Sequence, residues 1–253
     1  MKRFILLMVL IISLIPSISK GYPNGTPFYI TDMAPFCASC HAQNKVEYTP
    51  ELPLEFSNRE VPEKKHYGMI KSVPSPYAEL TQEQKEAIIK EAEFIDMNSS
   101  ISLAAPSKVK AGDTITVKIV ASGGNGPVIG IMLVDKPLRN QARPIQANGW
   151  LIVDEPVVKG QDGKRQKSWL NMRMEGLNKN INYVMIMDQK YVKEKLVFPS
   201  AEVTYVLKAP NKPGLYSMSA VLLYGTENTE KAGFFQRPSG RILFSEEIKI
   251  SVE

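Results

Sequence analysis

The chain has 253 residues, a length that holds two small domains or one large one. Hydrophobic residues make up 43% and charged residues 23%, which excludes wholesale disorder. The formal charge of +5 comes from Lys and Arg scattered among Asp and Glu, with no basic block interleaved with aromatics, so no nucleic-acid partner is expected.

The first residues have the form of an export signal. Lys2 and Arg3 precede an apolar run from Phe4 to Ile15 broken only by Ser13, and Pro16 ends it. Ser17 and Ser19 then supply small side chains for signal peptidase, which places residues 1–19 in the signal. Cleavage there removes Lys2 and Arg3 and lowers the formal charge from +5 to +3. The alternative is an uncleaved anchor, although the run is shorter than the roughly 20 residues a span needs. Membrane association is expected only through such an uncleaved segment. No Cys lies near the cut to carry a lipid. The expected location is periplasmic or extracellular.

From Lys20 to Pro76 the chain is rich in proline, with Pro23, Pro27, Pro35, Pro50, Pro53, Pro62, Pro74 and Pro76. Proline blocks helix interiors and central strands, so little regular structure is expected here. The same stretch carries Phe28, Met33, Phe36, Val46, Tyr48, Leu52, Leu54, Phe56, Val61, Tyr67 and Ile70. An irregular segment with so many apolar groups needs something large to pack against.

Within it stands Cys37-Ala38-Ser39-Cys40-His41, a C-x-x-C-H sequence and the attachment signature of c-type haem. Two thiols at this spacing can each form a thioether to a haem vinyl group, and the adjacent imidazole then meets the iron as proximal ligand. One covalent haem c is therefore expected on Cys37 and Cys40, with His41 bound to the metal. His66, the only other His, is the favoured distal ligand; Met69 is the alternative, and Met33 and Met97 are further thioethers within the region. Three readings compete with haem. In an exported chain the pair Cys37 and Cys40 invites a disulfide. A redox C-x-x-C of thioredoxin type should follow a strand in a βαβ pattern, and none is visible. Cys37, Cys40, His41 and His66 also just complete a four-ligand zinc set.

Thr81-Gln82-Glu83-Gln84 is a capping box, and Ile88, Ile89, Ala92 and Ile95 recur at helical spacing, so a helix is expected over 81–96. Asn98, Ser99 and Ser100 mark a boundary. From Ile101 onward the pattern is that of strands. Ile115, Val117 and Ile119 alternate within 114–120, and 128–134 is a short apolar run. Further strands are expected at 150–153, 183–187, 203–207, 215–223, 242–244 and 248–252. Turn sequences separate many of them, including Gly123-Gly124-Asn125-Gly126, Asn148-Gly149 and Pro213-Gly214. Short strands between Gly- and Pro-containing turns predict a mainly β fold, an antiparallel immunoglobulin-like sandwich over 99–253, without an inter-sheet disulfide. In that part Asp135, Asp154 and Glu155 read as loop or surface carboxylates, and Arg139 and Arg143 as surface arginines. Met172, Met174, Met185 and Met187, with Trp169 and Tyr224, read as packing residues rather than a metal site.

Over residues 30–97 the chain resembles a monohaem c-type cytochrome, on the strength of Cys37–His41 placed early, His66 or Met69 later, and then the helix. That resemblance implies a small irregular and helical haem-binding domain over 20–98, ahead of the sandwich. It implies single-electron transfer in an extracytoplasmic redox chain, with a redox partner protein or a larger electron-transfer complex, and no catalytic residue. Two other functions fit the same residues: a haem sensor or haem enzyme with an open sixth position, and a structural or adhesion protein with a Cys37–Cys40 disulfide.

Overall fold

The computed structural model describes residues 67–72, 77–138, 142–166, 182–226 and 240–253. A short helix, α1 (Gly68–Lys71), precedes α2 (Gln82–Met97). The capping box forms as the sequence predicts: the Gln84 amide donates to Thr81 Oγ1 at 3.3 Å, and the Thr81 amide donates to Gln84 Oε1 at 2.9 Å. Each interaction satisfies an amide that the first helical turn would otherwise leave unpaired. Ile89 and Ala92 of α2 close a small apolar cluster with Tyr67, Ile70 and Tyr77. One turn further on, Ile95 joins the main core instead, so the two ends of α2 pack against different neighbours.

Twelve strands follow among the described residues. They are β1 (Ser100–Ala104), β2 (Lys108–Val109), β3 (Thr114–Ser122), β4 (Ile129–Val134), β5 (Leu151–Ile152) and β6 (Val157–Lys159). After these come β7 (Arg165–Gln166), β8 (Tyr183–Ile186), β9 (Ser200–Lys208), β10 (Gly214–Gly225), β11 (Gly240–Phe244) and β12 (Ile248–Val252). One sheet runs β1-β3-β9-β6-β7, and β5 also pairs with β9. The other runs β2-β12-β10-β4-β8, and β11 also pairs with β10.

The registers reduce both sheets to a simpler plan. Both β5 and β6 lie along β9, facing 207–208 and 202–204, so they are one interrupted strand. Likewise β12 and β11 lie end to end along β10, facing 214–218 and 221–225. With those joins made, the first sheet has the A-B-E-D order with β7 added at its edge, and the second the A′-G-F-C order with β8 added beside C, an immunoglobulin-like plan in which β8 follows the D-place strand in the chain. The parallel β2–β12 pair fits that plan as well. The predicted mainly β, two-sheet architecture is thus present.

The break between β11 and β12 is sealed by Ser245. Its amide donates to Ala220 O at 2.8 Å, and its hydroxyl accepts from the Ala220 amide at 2.9 Å. Ser219 Oγ donates to Ser245 O at 3.0 Å, so the buried polar atoms of the interruption find partners.

Between the sheets lies a core that includes Val117, Ile119, Ile131, Leu133, Trp150, Val203, Leu207, Leu222 and Ile250. Trp150 packs edge-on to Tyr216 with ring centroids 6.3 Å apart. Tyr205 spans the layers and donates from its hydroxyl to Asn182 O at 3.2 Å. The predicted alternation of β3 holds throughout, with Ile115, Val117, Ile119 and Ala121 turned inward. On the outer surface of this sheet Glu202 bridges Lys118 at 2.7 Å and Lys159 at 3.1 Å.

The second sheet departs from alternation. Every residue of β4 and of β8 is buried. Met132, Val134, Tyr183, Met185, Val221, Ile242 and Phe244 form a second apolar cluster, separate from the inter-sheet core.

Candidate functional site

Cys37, Cys40, His41 and His66, the residues expected to carry the cofactor, lie outside the described residues, as do Met33 and Arg139. Met69 is described. It sits on α1, where Tyr67 and Ile70 turn into the small cluster while Met69 remains half exposed at 51%. Its thioether is therefore not consumed by packing. Met97, at the end of α2, is 77% exposed. Among the described residues no group of three or more His, Cys, Asp or Glu is placed to hold a metal ion. Among them, too, no helix is long and apolar enough to cross a membrane.

The most organised polar site in the described structure is where α2 meets the second sheet. Asp96, in the last turn of α2, receives Arg241 Nε at 3.1 Å on Oδ1 and 3.0 Å on Oδ2. Arg241 Nη2 approaches Oδ2 at 3.0 Å, and the Tyr224 hydroxyl donates to Oδ1 at 2.8 Å. The Arg241 side chain is only 1% exposed and that of Asp96 15%, so this charge pair is shielded from water. A carboxylate whose oxygens are engaged by a guanidinium and a phenol is well suited to fix a helix on a sheet. The anchorage is reinforced next door. Ser99 Oγ donates to Ile95 O at 2.7 Å and accepts from the Gly124 amide at 3.2 Å. Gly123 has φ +138°, and a Cβ there would collide with Ser99, which is why the turn needs glycine at that point. Phe94 meets Phe198 with ring centroids 6.1 Å apart.

Asp135 is a loop carboxylate, as one half of the expectation has it, but not a surface one, being 2% exposed. Its Oδ1 accepts from the Arg143 amide at 2.8 Å and its Oδ2 from Arg143 Nε at 3.2 Å, so it closes the loop after β4. Asp154 and Glu155 are exposed, as expected. Met185 and Tyr224 are packing residues at 1% and 2% exposure. Trp169, Met172 and Met174 lie outside the described residues.

Charge and geometry also define the ends of the fold. Lys118 and Lys159, each hydrogen-bonded to Glu202, hold its carboxyl below the ordinary glutamate range. Tyr191, stacked on Phe198 at 4.8 Å, has its phenol pushed up by burial and then by Glu91 and Glu194.

No family model matches the chain, and no curated protein does. Among solved structures, the CARDB domain of a Pyrococcus furiosus protein, in complex with di-metal ions, is 9% identical with a TM-score of 0.26. The likeness covers 62% of this chain and 90% of that one. CfaE, the adhesive subunit of the CFA/I fimbria of enterotoxigenic Escherichia coli, is 11% identical with a TM-score of 0.30, over 62% of this chain and 49% of that one. AvmM, which catalyses macrocyclization in alchivemycin A biosynthesis, is 9% identical with a TM-score of 0.29, over 61% and 87%. At these scores the likenesses carry no argument, and the immunoglobulin-like assignment rests on the strand order given above.

Proposed function

We propose that this chain is an exported monohaem c-type cytochrome whose haem segment is joined to an immunoglobulin-like sandwich, and that it passes single electrons to a redox partner outside the cytoplasm. The observation that carries the reading is Cys37-Ala38-Ser39-Cys40-His41 downstream of an export signal. The donor set fits the group: two thiols for the vinyls and an imidazole for the iron. A haem bound there would supply the ferrous–ferric couple. Cys37 and Cys40 hold it permanently, so a short, proline-rich segment can retain it without a deep pocket.

His66 is assigned as distal ligand, with Met69 as the alternative. The half-exposed Met69 is not committed to the core, which is why the choice needs a direct test. The sandwich offers no catalytic constellation among its described residues, and its latch at Asp96 and Arg241 fixes the helix that follows the haem segment. That favours a role in docking and placement over one in bond chemistry.

The test is an absorption spectrum of the protein exported from a host with working cytochrome-maturation machinery. A reduced α-band that survives denaturation, and is lost in Cys37→Ala/Cys40→Ala, is the expected result. A wild-type protein without that band would refute the assignment.

A further inference from the structure

The edges of the two sheets are guarded unequally. An edge strand presents a row of unpaired N–H and C=O groups, and folded chains blunt it by shortness, charge or cover. The strands at the ends of the two sheet paths are β1 and β7 in one, β2 and β8 in the other. Only two residues make up β7, and the first is Arg165. Likewise β2 has two, with Lys108 in it and Lys110 just beyond. Past the end of β8 the backbone is tied sideways: Gln166 Nε2 donates to Met187 O at 2.9 Å, and Gln166 Oε1 accepts from the Met187 amide at 3.0 Å. None of these protections applies to β1. It has five residues, Ser100-Ile101-Ser102-Leu103-Ala104, without a charge or a proline.

The hydrogen-bond phase of β3 shows which groups of β1 are open. The Gly123 amide donates to Pro199 O at 2.9 Å, and Asp113 O accepts from the Ala209 amide at 2.8 Å, so the odd residues of β3 bond towards β9. Its even residues turn to β1, where Ser122, Val120 and Lys118 face Ser100, Ser102 and Ala104. The amides and carbonyls of Ile101 and Leu103 therefore point away from the sheet, and among the described residues they have no partner. The side chains alternate as well. Ser100, Ser102 and Ala104 are exposed, while Ile101 and Leu103 pack against the core without being fully buried.

We propose that this edge takes a second copy of the chain, which adds its own β1 in antiparallel register about a two-fold axis through Ser102. The inference goes beyond the haem reading and does not need it. The occupant is a copy because the strand is complementary to itself. Pairing centred on Ser102 overlaps the whole strand, and it sets the amide and carbonyl of Ile101 against those of Leu103 in the second copy, and the reverse. The open groups of both strands are then satisfied together. The faces match too. Ile101 and Leu103 meet Leu103 and Ile101 of the second copy on the core side, so each apolar pair covers what the other leaves exposed. On the outer side Ser102 meets its own counterpart, and two small neutral side chains there do not repel. A charged segment would find no counter-charge on β1, and the neighbouring Lys118 is already bridged to Glu202 at 2.7 Å.

The experiment is sedimentation velocity on the full exported chain, wild type and Ser102 variants, with a thermal melt of each as the control for an intact fold. The wild type should show a reversible monomer–dimer equilibrium below about 100 µM. Ser102→Lys and Ser102→Glu alter an exposed side chain, so both should melt like the wild type. Each sets like charges opposite one another at the axis and should weaken the dimer by at least about tenfold. An equimolar mixture of the two should restore it. Independently, Ser102→Cys should join two copies by a disulfide, because residues opposite each other at such a position have Cα atoms about 4.5 Å apart, within reach of that bond. Peptide mass spectrometry should find the peptide containing position 102 linked to itself. A wild type that stays monomeric at about 100 µM would overturn the proposal. So would a dimer that both charged variants leave intact, or a mixture that associates no better than either variant alone. If the charged variants melt early, the cysteine variant decides: the self-linked peptide supports the axis through Ser102, and its absence removes it.

Discussion

Replacing Asp96 by Ala should be among the more damaging single changes available in the described structure, although the residue lies near the surface at the end of a helix. The substitution leaves Arg241, whose side chain is 1% exposed, without the carboxylate that engages it through Nε and Nη2. It also removes the acceptor of the Tyr224 hydroxyl. Removing one partner of a buried pair costs about 3–5 kcal/mol, and the 15% exposure of Asp96 places this case near the lower end. With a urea dependence of about 2 kcal/mol per molar, a loss of about 3 kcal/mol lowers the unfolding midpoint by about 1.5 M. Far-UV circular dichroism of the full exported chain in urea measures this directly. Two comparisons give the number its meaning. Lys108→Ala, which breaks the ion pair with Glu253 between side chains 72% and 58% exposed, should leave the urea midpoint close to that of the wild type. Asp96→Ala/Arg241→Met, which removes both charges, should recover at least half of the loss. If Asp96→Ala behaves like Lys108→Ala, Arg241 is not held as argued and the latch between helix and sheet is unsupported.

Ser245→Ala should destabilise by about 1–3 kcal/mol in the same urea assay, because the Ala220 amide loses a buried partner at the β11–β12 break. Glu202 has a folded pKa below its unfolded one, so its contribution is complete above the ordinary glutamate value of about 4.3 and disappears as pH falls through the lower folded value. Glu202→Gln should therefore flatten the acid limb of a melting-temperature profile below about pH 5 and leave its slope at neutral pH unchanged; an unaltered acid limb would count against the Lys118–Glu202–Lys159 bridge. For the iron, His66→Ala should change the low-temperature magnetic resonance signature while Met69→Ala leaves it as in the wild type, and the opposite pattern would transfer the ligand to Met69.

The parts of the fold with strong local rules were legible in the sequence. The capping box at Thr81 starts the helix where it should, and the period-two pattern of 114–120 marks β3 because one face of that strand meets the core and the other meets water. The run at 128–134 reads as a buried strand for the right reason, since β4 is covered on both sides. β5 falls inside the strand expected at 150–153, whereas β6 and β7, of three and two residues, are too short to display a period and are fixed by their pairing with β9 or with each other. The Asp96–Arg241 latch joins residues 145 apart in the chain and has no local signature. Asp135 likewise looks like any loop carboxylate until Arg143 folds back on it. The proposed haem motif is a different case: Cys37–His41 lies outside the described residues, so that reading rests on five consecutive residues of sequence.

The central claim is a covalent link between Cys37, Cys40 and an iron porphyrin, and the intact mass of the secreted chain tests it most directly. The account predicts the mass of residues 20–253 increased by one haem, carried after digestion by the peptide that contains both cysteines. A mass lower than the reduced chain by two hydrogens, with Cys37 and Cys40 joined to each other, would contradict it.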